Sequence, residues 1–235
     1  MKKYLTSAAF IIFMCCAANS QGSLVRFYAN AKVGYKDASG KVVVPATYYA
    51  GSEYFEGFAI VVDNNKRGFL DAQGKVAIPL QYEDAGPFIG GIAKVMLNHK
   101  YGYINTAGKW LIEPKYDFAE DFSGGFAVVS IKGKYGFIDA SCKEVIAPTY
   151  DMARKFSVGM APVKMGAKWG YTNTRGTLVL PAKYDDAYFF NGDGQARVTM
   201  NHELYLIDKT GTVIKKIEPR HEEEFEGRGK GKDRD

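Results

Sequence analysis

Cysteine is scarce in this sequence: Cys15 and Cys16 are adjacent near the start and Cys142 stands alone. If the first two leave with a leader, one thiol remains. An internal disulfide is then excluded and stability has to come from burial, even in an oxidising compartment. Histidine is equally sparse, at His99, His202 and His221, with no cysteine or carboxylate at ligand spacing beside any of them, so no metal site is expected. Charge of one sign is not in excess. The 31 Lys and Arg face 26 Asp and Glu, and a net charge of +5 bears on solubility rather than on nucleic-acid binding. No glycine-rich loop leads into a helix and no nucleophile elbow is present, so neither a phosphate cradle, a cofactor motif nor a catalytic serine is offered. No hydrophobic run is long enough to span a bilayer as a helix.

The longest apolar run, residues 4–18, follows Lys2 and Lys3. A positive start before a short apolar stretch and small residues reads as a secretory signal over residues 1–20, with cleavage after Ala18 or Ser20. A lipoprotein signal at Cys15 or Cys16 fits less well, because Met14 stands where a small residue is wanted. The mature chain is therefore expected in the periplasm or outside the cell, with no transmembrane segment once the signal is removed. Residues 218–235 carry many charges and no apolar periodicity, and read as a solvated tail.

What the sequence has in abundance is self-similarity. Glycine precedes an aromatic residue at Gly34-Tyr35, Gly68-Phe69, Gly102-Tyr103, Gly136-Phe137 and Gly170-Tyr171, each step being 34 residues. Tyr48, Tyr82, Tyr116, Tyr150 and Tyr184 keep the same step, each shortly after a proline. Tyr54, Phe88, Phe122, Phe156 and Phe190 form a third column. Within one unit, residues 126–131 (FAVVSI) alternate as a strand does, Lys132-Gly133 makes a two-residue turn, and residues 135–138 return. The second strand ends in Asp or Asn with Gly three residues later, as at Asp71/Gly74 and Asn105/Gly108, the signature of a tight turn with a left-handed closing residue. A third strand such as residues 110–112 follows and is expected to stop at the proline.

The expected fold is therefore all-β: tandem three-stranded antiparallel repeats of 34 residues over residues 21–217. Five regular units are followed by a degenerate sixth that serves as a cap, and a propeller-like ring is favoured over an open β array. The glycine before each aromatic is expected to let a neighbouring backbone or ring lie against the strand, and the aromatic columns to form a continuous core between units.

The columns resemble the WG-repeat family, named for the pair that survives here at Trp169-Gly170, with Val33, Arg67, Tyr101 and Tyr135 at the tryptophan position of the other units. The pattern is clearest over residues 100–117 and 134–151. The resemblance implies an exported bacterial β-repeat protein, and it carries no common activity, cofactor or catalytic residue set.

Candidate chemistry is correspondingly thin. Lys32, Lys66, Lys100, Lys134 and Lys168 follow successive hairpin turns and should project along one edge, where they could attract an anionic polymer or simply guard against edge pairing. Asp117 and Asp151, with Glu83, Asp84, Asp185 and Asp186, follow the tyrosine column and suit loop capping. An envelope hydrolase acting through Asp117 and Asp151 is the alternative, and a purely structural spacer a third reading. The leading expectation is a non-catalytic binding module that uses Lys66, Lys100, Lys134, Lys168, Asp117 or Asp151 to contact an envelope protein or a glycan polymer. Function is expected where the repeat breaks: near Cys142, around Trp169, or at residues 191–194. Cys142, in place of a turn glycine, is expected to be an exposed thiol.

Overall fold

The computed structural model describes residues 24–218. The proposed signal at 1–20, with Cys15 and Cys16, lies outside them, as do His221 and all of the proposed tail beyond Glu218. Among the described residues every named element is a strand, and no helix is long and apolar enough to cross a membrane. The strands form six antiparallel sheets in chain order, the first of three strands and the other five of four.

The fourth sheet shows the plan. A two-residue strand, Phe118–Ala119, pairs with Phe126–Ile131, which turns into Lys134–Asp139, which pairs with Glu144–Tyr150. The unit is thus a meander of four strands rather than three, because the expected connecting loop contributes a short strand to the hairpin that follows. Its equivalents are Ala50–Gly51, Asp84–Ala85, Met152–Ala153 and Asp186–Ala187. The sheet with a strand missing is the first. The degenerate last unit completes a sheet, although its last strand is cut to Val213–Lys216.

Turn chemistry accounts for the meander. Asn64-Asn65, Asn98-His99, Lys132-Gly133 and Asn201-His202 all have positive φ, the backbone whose twist matches a two-residue hairpin. A second tight turn, not expected from the sequence, opens the hairpins at Glu56-Gly57, Gly90-Gly91, Gly124-Gly125 and Val158-Gly159, each with positive φ. The Asp/Asn-to-Gly turns form as expected: the Asp139 carboxylate accepts the amides of Ser141 and Lys143 at 2.9 and 3.0 Å. The irregularity at 191–194 is the same device. Asn191 accepts the amides of Asp193 and Gln195 at 3.1 and 2.9 Å, so the sixth sheet opens on an Asn-headed turn in place of the two-residue one.

The proline does not end the third strand. In the first five sheets the last strand runs through it, as in Trp110–Tyr116 and Leu178–Tyr184, and lies at the edge of its sheet, where proline's missing N–H leaves no ladder bond unmade. The ladder shifts register at this point, between Tyr135/Phe137 and Phe137/Ile138 in the fourth sheet. The bulge brings the last strand's backbone down onto the glycine column. A Cβ on Gly136 would collide with the Ile146 carbonyl and lie 2.7 Å from Ala147 C and Pro148 N. The sequence-based reason for those glycines holds, and the neighbour is backbone at all five, joined by the rings of Phe27 at Gly34 and Trp110 at Gly102.

Five hydrophobic cores lie between successive sheets. Between the fourth and fifth, Val128, Phe137, Ile146, Phe156, Ala161 and Val163 are buried together. Tyr35, Phe69, Tyr103, Phe137 and Tyr171 are all fully buried, which places the first aromatic column at the centre of the stack. A closed ring of six sheets needs a sixth core joining last to first. Among the described residues the five cores join neighbours only, and Leu204, Tyr205 and Leu206 of the last sheet stay partly exposed where the equivalent Trp169, Gly170 and Tyr171 are buried.

Cys142 corrects an expectation. Its φ is +61°, as its glycine-like place requires, but the side chain is half-buried against the core of Tyr103, Ile112 and Tyr116. Burial raises the thiol above its usual range, and the Asp139 carboxylate adds to the effect. Native protein is therefore expected to react with a thiol reagent about tenfold or more slowly at pH 7.5 than the urea-unfolded chain, and to speed up as pH rises towards the raised value. Equal rates in the two states would return Cys142 to the surface.

Candidate functional site

The lysine and acid columns are each other's partners. Lys100 pairs with Asp117, Lys134 with Asp151 at 2.5 Å, Lys168 with Asp185, and Lys66 with Glu83 at 4.0 Å. Each acid also accepts an amide of the next hairpin turn: Asp117 from Lys132 at 2.6 Å, Asp151 from Gly166 at 2.6 Å, Glu83 from Asn98 and His99 at 3.1 and 2.9 Å. One side chain thus ties the turn of one sheet to the turn of the next. Asp117 and Asp151 occupy equivalent, exposed clips, so the structure does not bring them together as a catalytic pair, nor leave the lysines free as a polymer-binding edge. His99 lies beside Glu83, Nδ1 to Oε2 at 3.2 Å, and among the described residues no cluster suited to a metal ion occurs.

The lysines and the turn amides hold the carboxyls of Asp117 and Asp151 below their usual range, and Asp185 and Glu83 are lowered by the same kind of contact. A folded-state value below the unfolded one contributes stability that is complete above about pH 5 and is lost as pH falls through the folded value. The melting temperature should fall steeply between about pH 5 and pH 3, and Asp151→Asn should flatten part of that slope. High salt should shrink the effect, since these pairs face solvent. A flat profile would show that the clips contribute nothing.

A second set of equivalent positions behaves differently. Immediately after each short strand, the amides of Ser52, Gly86, Glu120, Arg154 and Tyr188 donate to the next hairpin strand in the same way, to Ile60, Lys94, Val128, Pro162 and Arg197. The backbone repeats while the side chains do not. The following positions, Glu53, Pro87, Asp121, Lys155 and Phe189, are equally unlike. Five of these residues, Glu120, Asp121, Arg154, Lys155 and Phe189, line one cleft of about 580 Å³, whereas Ser52, Glu53 and Pro87 line a separate hollow. Lys94 comes from the third sheet, the segment from Phe118 to Ser123 leads into the fourth, Arg154 and Lys155 lead into the fifth, and Phe189 into the sixth.

Most of the cleft's charges are held. The Arg154 guanidinium pairs with Asp186 at 3.0 Å, donates to the Ala187 carbonyl, and lies over the rings of Trp169 and Tyr188 at 4.4 and 4.9 Å. The surviving tryptophan of the Gly-aromatic motif therefore acts as a platform for a cleft residue. Lys94, only 15% exposed, approaches Asp121 Oδ1 at 3.7 Å, too far for a hydrogen bond, and that oxygen is buried without one. Gly86 makes room for this carboxylate: a Cβ there would strike Asp121.

Two groups are not held. Glu120 is half-buried and its backbone is pinned, the amide to Val128 O and the carbonyl accepting Tyr103 OH at 2.8 Å, yet its carboxyl has no hydrogen bond or ion pair among the described residues. Burial raises this carboxyl above its usual range, against the pull of Lys94 and Lys155 and with a push from Asp121. Lys155 has no carboxylate within pairing distance among the described residues, and its ammonium lies 5.2 Å from the Phe189 ring centre.

The sequence analysis did not single out Glu120, Asp121, Arg154 or Lys155. The available signal was an in-phase column whose residues disagree, at a stretch where the backbone agrees from unit to unit. Of the expected break points, Trp169 touches the cleft through Arg154. Cys142 and the turn at 191–194 are absorbed by core and turn chemistry.

No curated protein is similar to the chain in sequence. Among solved structures it is similar to one titled a crystal structure of the eukaryotic initiation factor, at 13% identity and a TM-score of 0.52, over 84% of this chain and 63% of that one. It is also similar to KlHsv2 with loop 6CD replaced by a Gly-Ser linker, at 12% identity and a TM-score of 0.49, over 87% and 80% of the two chains. A third is the C-terminal WD40 domain of Sif2, at 9% identity and a TM-score of 0.39, over 75% and 61%. The first of these likenesses speaks for the fold alone. The repeat itself is decisive, because the WG containing repeat matches at residues 34–66, 68–101, 101–135, 135–169 and 169–201. The chain belongs to the WG-repeat family.

Proposed function

We propose that the protein is a binding module whose ligand sits in the cleft between the third and sixth sheets, with the stacked repeats serving as scaffold. One observation carries this reading: in-phase positions leading into the fourth, fifth and sixth sheets carry acid, base and aromatic side chains, Glu120, Asp121, Arg154, Lys155 and Phe189, and these line one hollow together with Lys94 of the third sheet. A scaffold column needs one residue type in every unit, as the lysines and aromatics have, whereas recognition needs unlike groups in one place. Phe118 and Phe189, 38% and 46% exposed, add apolar surface to the charged walls. The charged and apolar start of the sequence supports export to the periplasm or beyond, where an envelope protein or a glycan polymer could supply the ligand.

A hydrolase reading would now rest on Glu120 rather than on Asp117 and Asp151. The cleft supplies it with no second unengaged carboxylate, since Asp121 faces Lys94, and binding is the better supported role. Titrating the labelled protein with a panel of small charged, sugar-like and aromatic fragments, followed by amide chemical shifts, tests the proposal. Shifts should concentrate at residues 118–123, 154–155 and 189. Shifts confined elsewhere, for example to the hollow between His202 and Glu218, or none at all, would overturn it.

A further inference from the structure

Glu120 and Lys155 both line the cleft and neither is paired. Lys94 and, less strongly, Lys155 act on the ionisation of Glu120, yet neither is within ion-pair distance of it, and Lys155 has no carboxylate within that distance among the described residues. The Glu120 carboxylate is half-buried and gains from a cationic partner, whereas Lys155 is exposed and free to meet an anion. The Glu120 backbone is fixed through both of its peptide groups, to Val128 and Tyr103, and the Lys155 ammonium lies 5.2 Å from the Phe189 ring centre. The neighbouring charges cannot substitute, because Arg154 is committed to Asp186 and Ala187 O, and Lys94 to Asp121. What remains is one free negative and one free positive group in one cleft, which the exposed Phe118 and Phe189 also line.

We infer that the cleft takes a small zwitterion, its ammonium group on Glu120, its carboxylate on Lys155 and an apolar side group against Phe118 or Phe189. This deepens the binding role proposed above and rests on it. A ligand with only a carboxylate would leave the half-buried Glu120 carboxyl unpaired, the costly outcome, and one with only an ammonium would forgo Lys155. A ligand with both is met at each end by a charge-assisted hydrogen bond.

The test compares four probes on the native protein by calorimetry or amide shifts: L-phenylalanine, the dipeptide Phe-Gly, phenethylamine and 3-phenylpropionate. At least one of the two zwitterions should bind about tenfold or more tightly than either singly charged relative. Preference between the first two tells whether a free amino acid or a longer peptide-like span fits. Glu120→Gln should abolish the advantage of the zwitterion over 3-phenylpropionate, and Lys155→Gln its advantage over phenethylamine. Both side chains are partly open to solvent and bonded to nothing, so neither change should unfold the protein. Equal binding of all four probes, tighter binding of a singly charged one, or binding untouched by both substitutions would overturn the inference. If none of the four binds while neutral sugar-like fragments still shift the cleft amides, the zwitterion is rejected and the binding role stands. If no fragment of any kind reaches the cleft, both fall.

Discussion

Gly136→Ala is expected to destabilise the protein by about 3 kcal/mol, at the upper end of what forcing atoms into a packed interior costs. The added methyl would meet the Ile146 carbonyl, Ala147 and Pro148, all of them backbone, so no side-chain rotation relieves the clash. Either the bulge in the last strand opens or the central hairpin strand retreats from it. Retreat would uncover Phe137, which is fully buried one residue on. For a chain of this size the melting temperature should drop by roughly 6–12 °C. Gly192→Ala supplies the contrast. Its φ is not positive and nothing lies within 4 Å of the added atom, so thermal unfolding should change by less than about 0.5 kcal/mol. If the two substitutions cost the same, close approach is not why the glycine column exists.

That glycine column was legible in the sequence because its cause is local and repeats unchanged: one strand lies on the next within a single unit. The hairpin turns and the Asp/Asn-to-Gly turns were legible for the same reason. The short strands were not. Two residues such as Phe118–Ala119 are too few to show alternation, and the strand they pair with starts several residues later, in what sequence phase assigned to another unit. Missing that strand hid the pairing of the two charge columns. Lys134 and Asp151 stand 17 residues apart, and only the chain's return along the short strand brings them together. Both columns were visible, and both looked available for ligands, because their mutual neutralisation is a property of the connection.

The cleft was hidden for the opposite reason. Period analysis rewards agreement, and Ser52, Gly86, Glu120, Arg154 and Tyr188 have nothing in common except their backbone bond. Once the fold supplies the frame, their disagreement becomes the signal. The repeat thus divides into columns fixed by packing or clipping, which recur, and one pair of columns that the scaffold leaves free to vary. Tyr103 connects the two kinds. It is a fully buried core ring whose hydroxyl, pushed far up by burial, holds the Glu120 carbonyl, whereas Phe69 and Phe137 at equivalent places carry no such hydroxyl.

Phe137→Ala should have the largest effect of any single truncation in the stack, about 3–5 kcal/mol. The ring is fully buried, 4.6 Å from Phe156, and packs with Val128 and Ile146 on one side and Ala161 and Val163 on the other. Those residues belong to the fourth and fifth sheets, so the cavity opens at a junction rather than within a sheet. In a stacked array each sheet is stabilised by its neighbours, and a weakened junction lets the two sides open separately. Amide exchange should therefore accelerate most in the fourth and fifth sheets and in the sixth beyond them, while the first and second keep most of their protection. Tyr205→Ala, in a last sheet whose equivalent face is only partly buried, should cost about 1 kcal/mol or less and leave the central amides unchanged. Uniform acceleration across all six sheets after Phe137→Ala would mean that the array unfolds as one unit, and that the first and last sheets are coupled more strongly than five neighbour-to-neighbour cores provide.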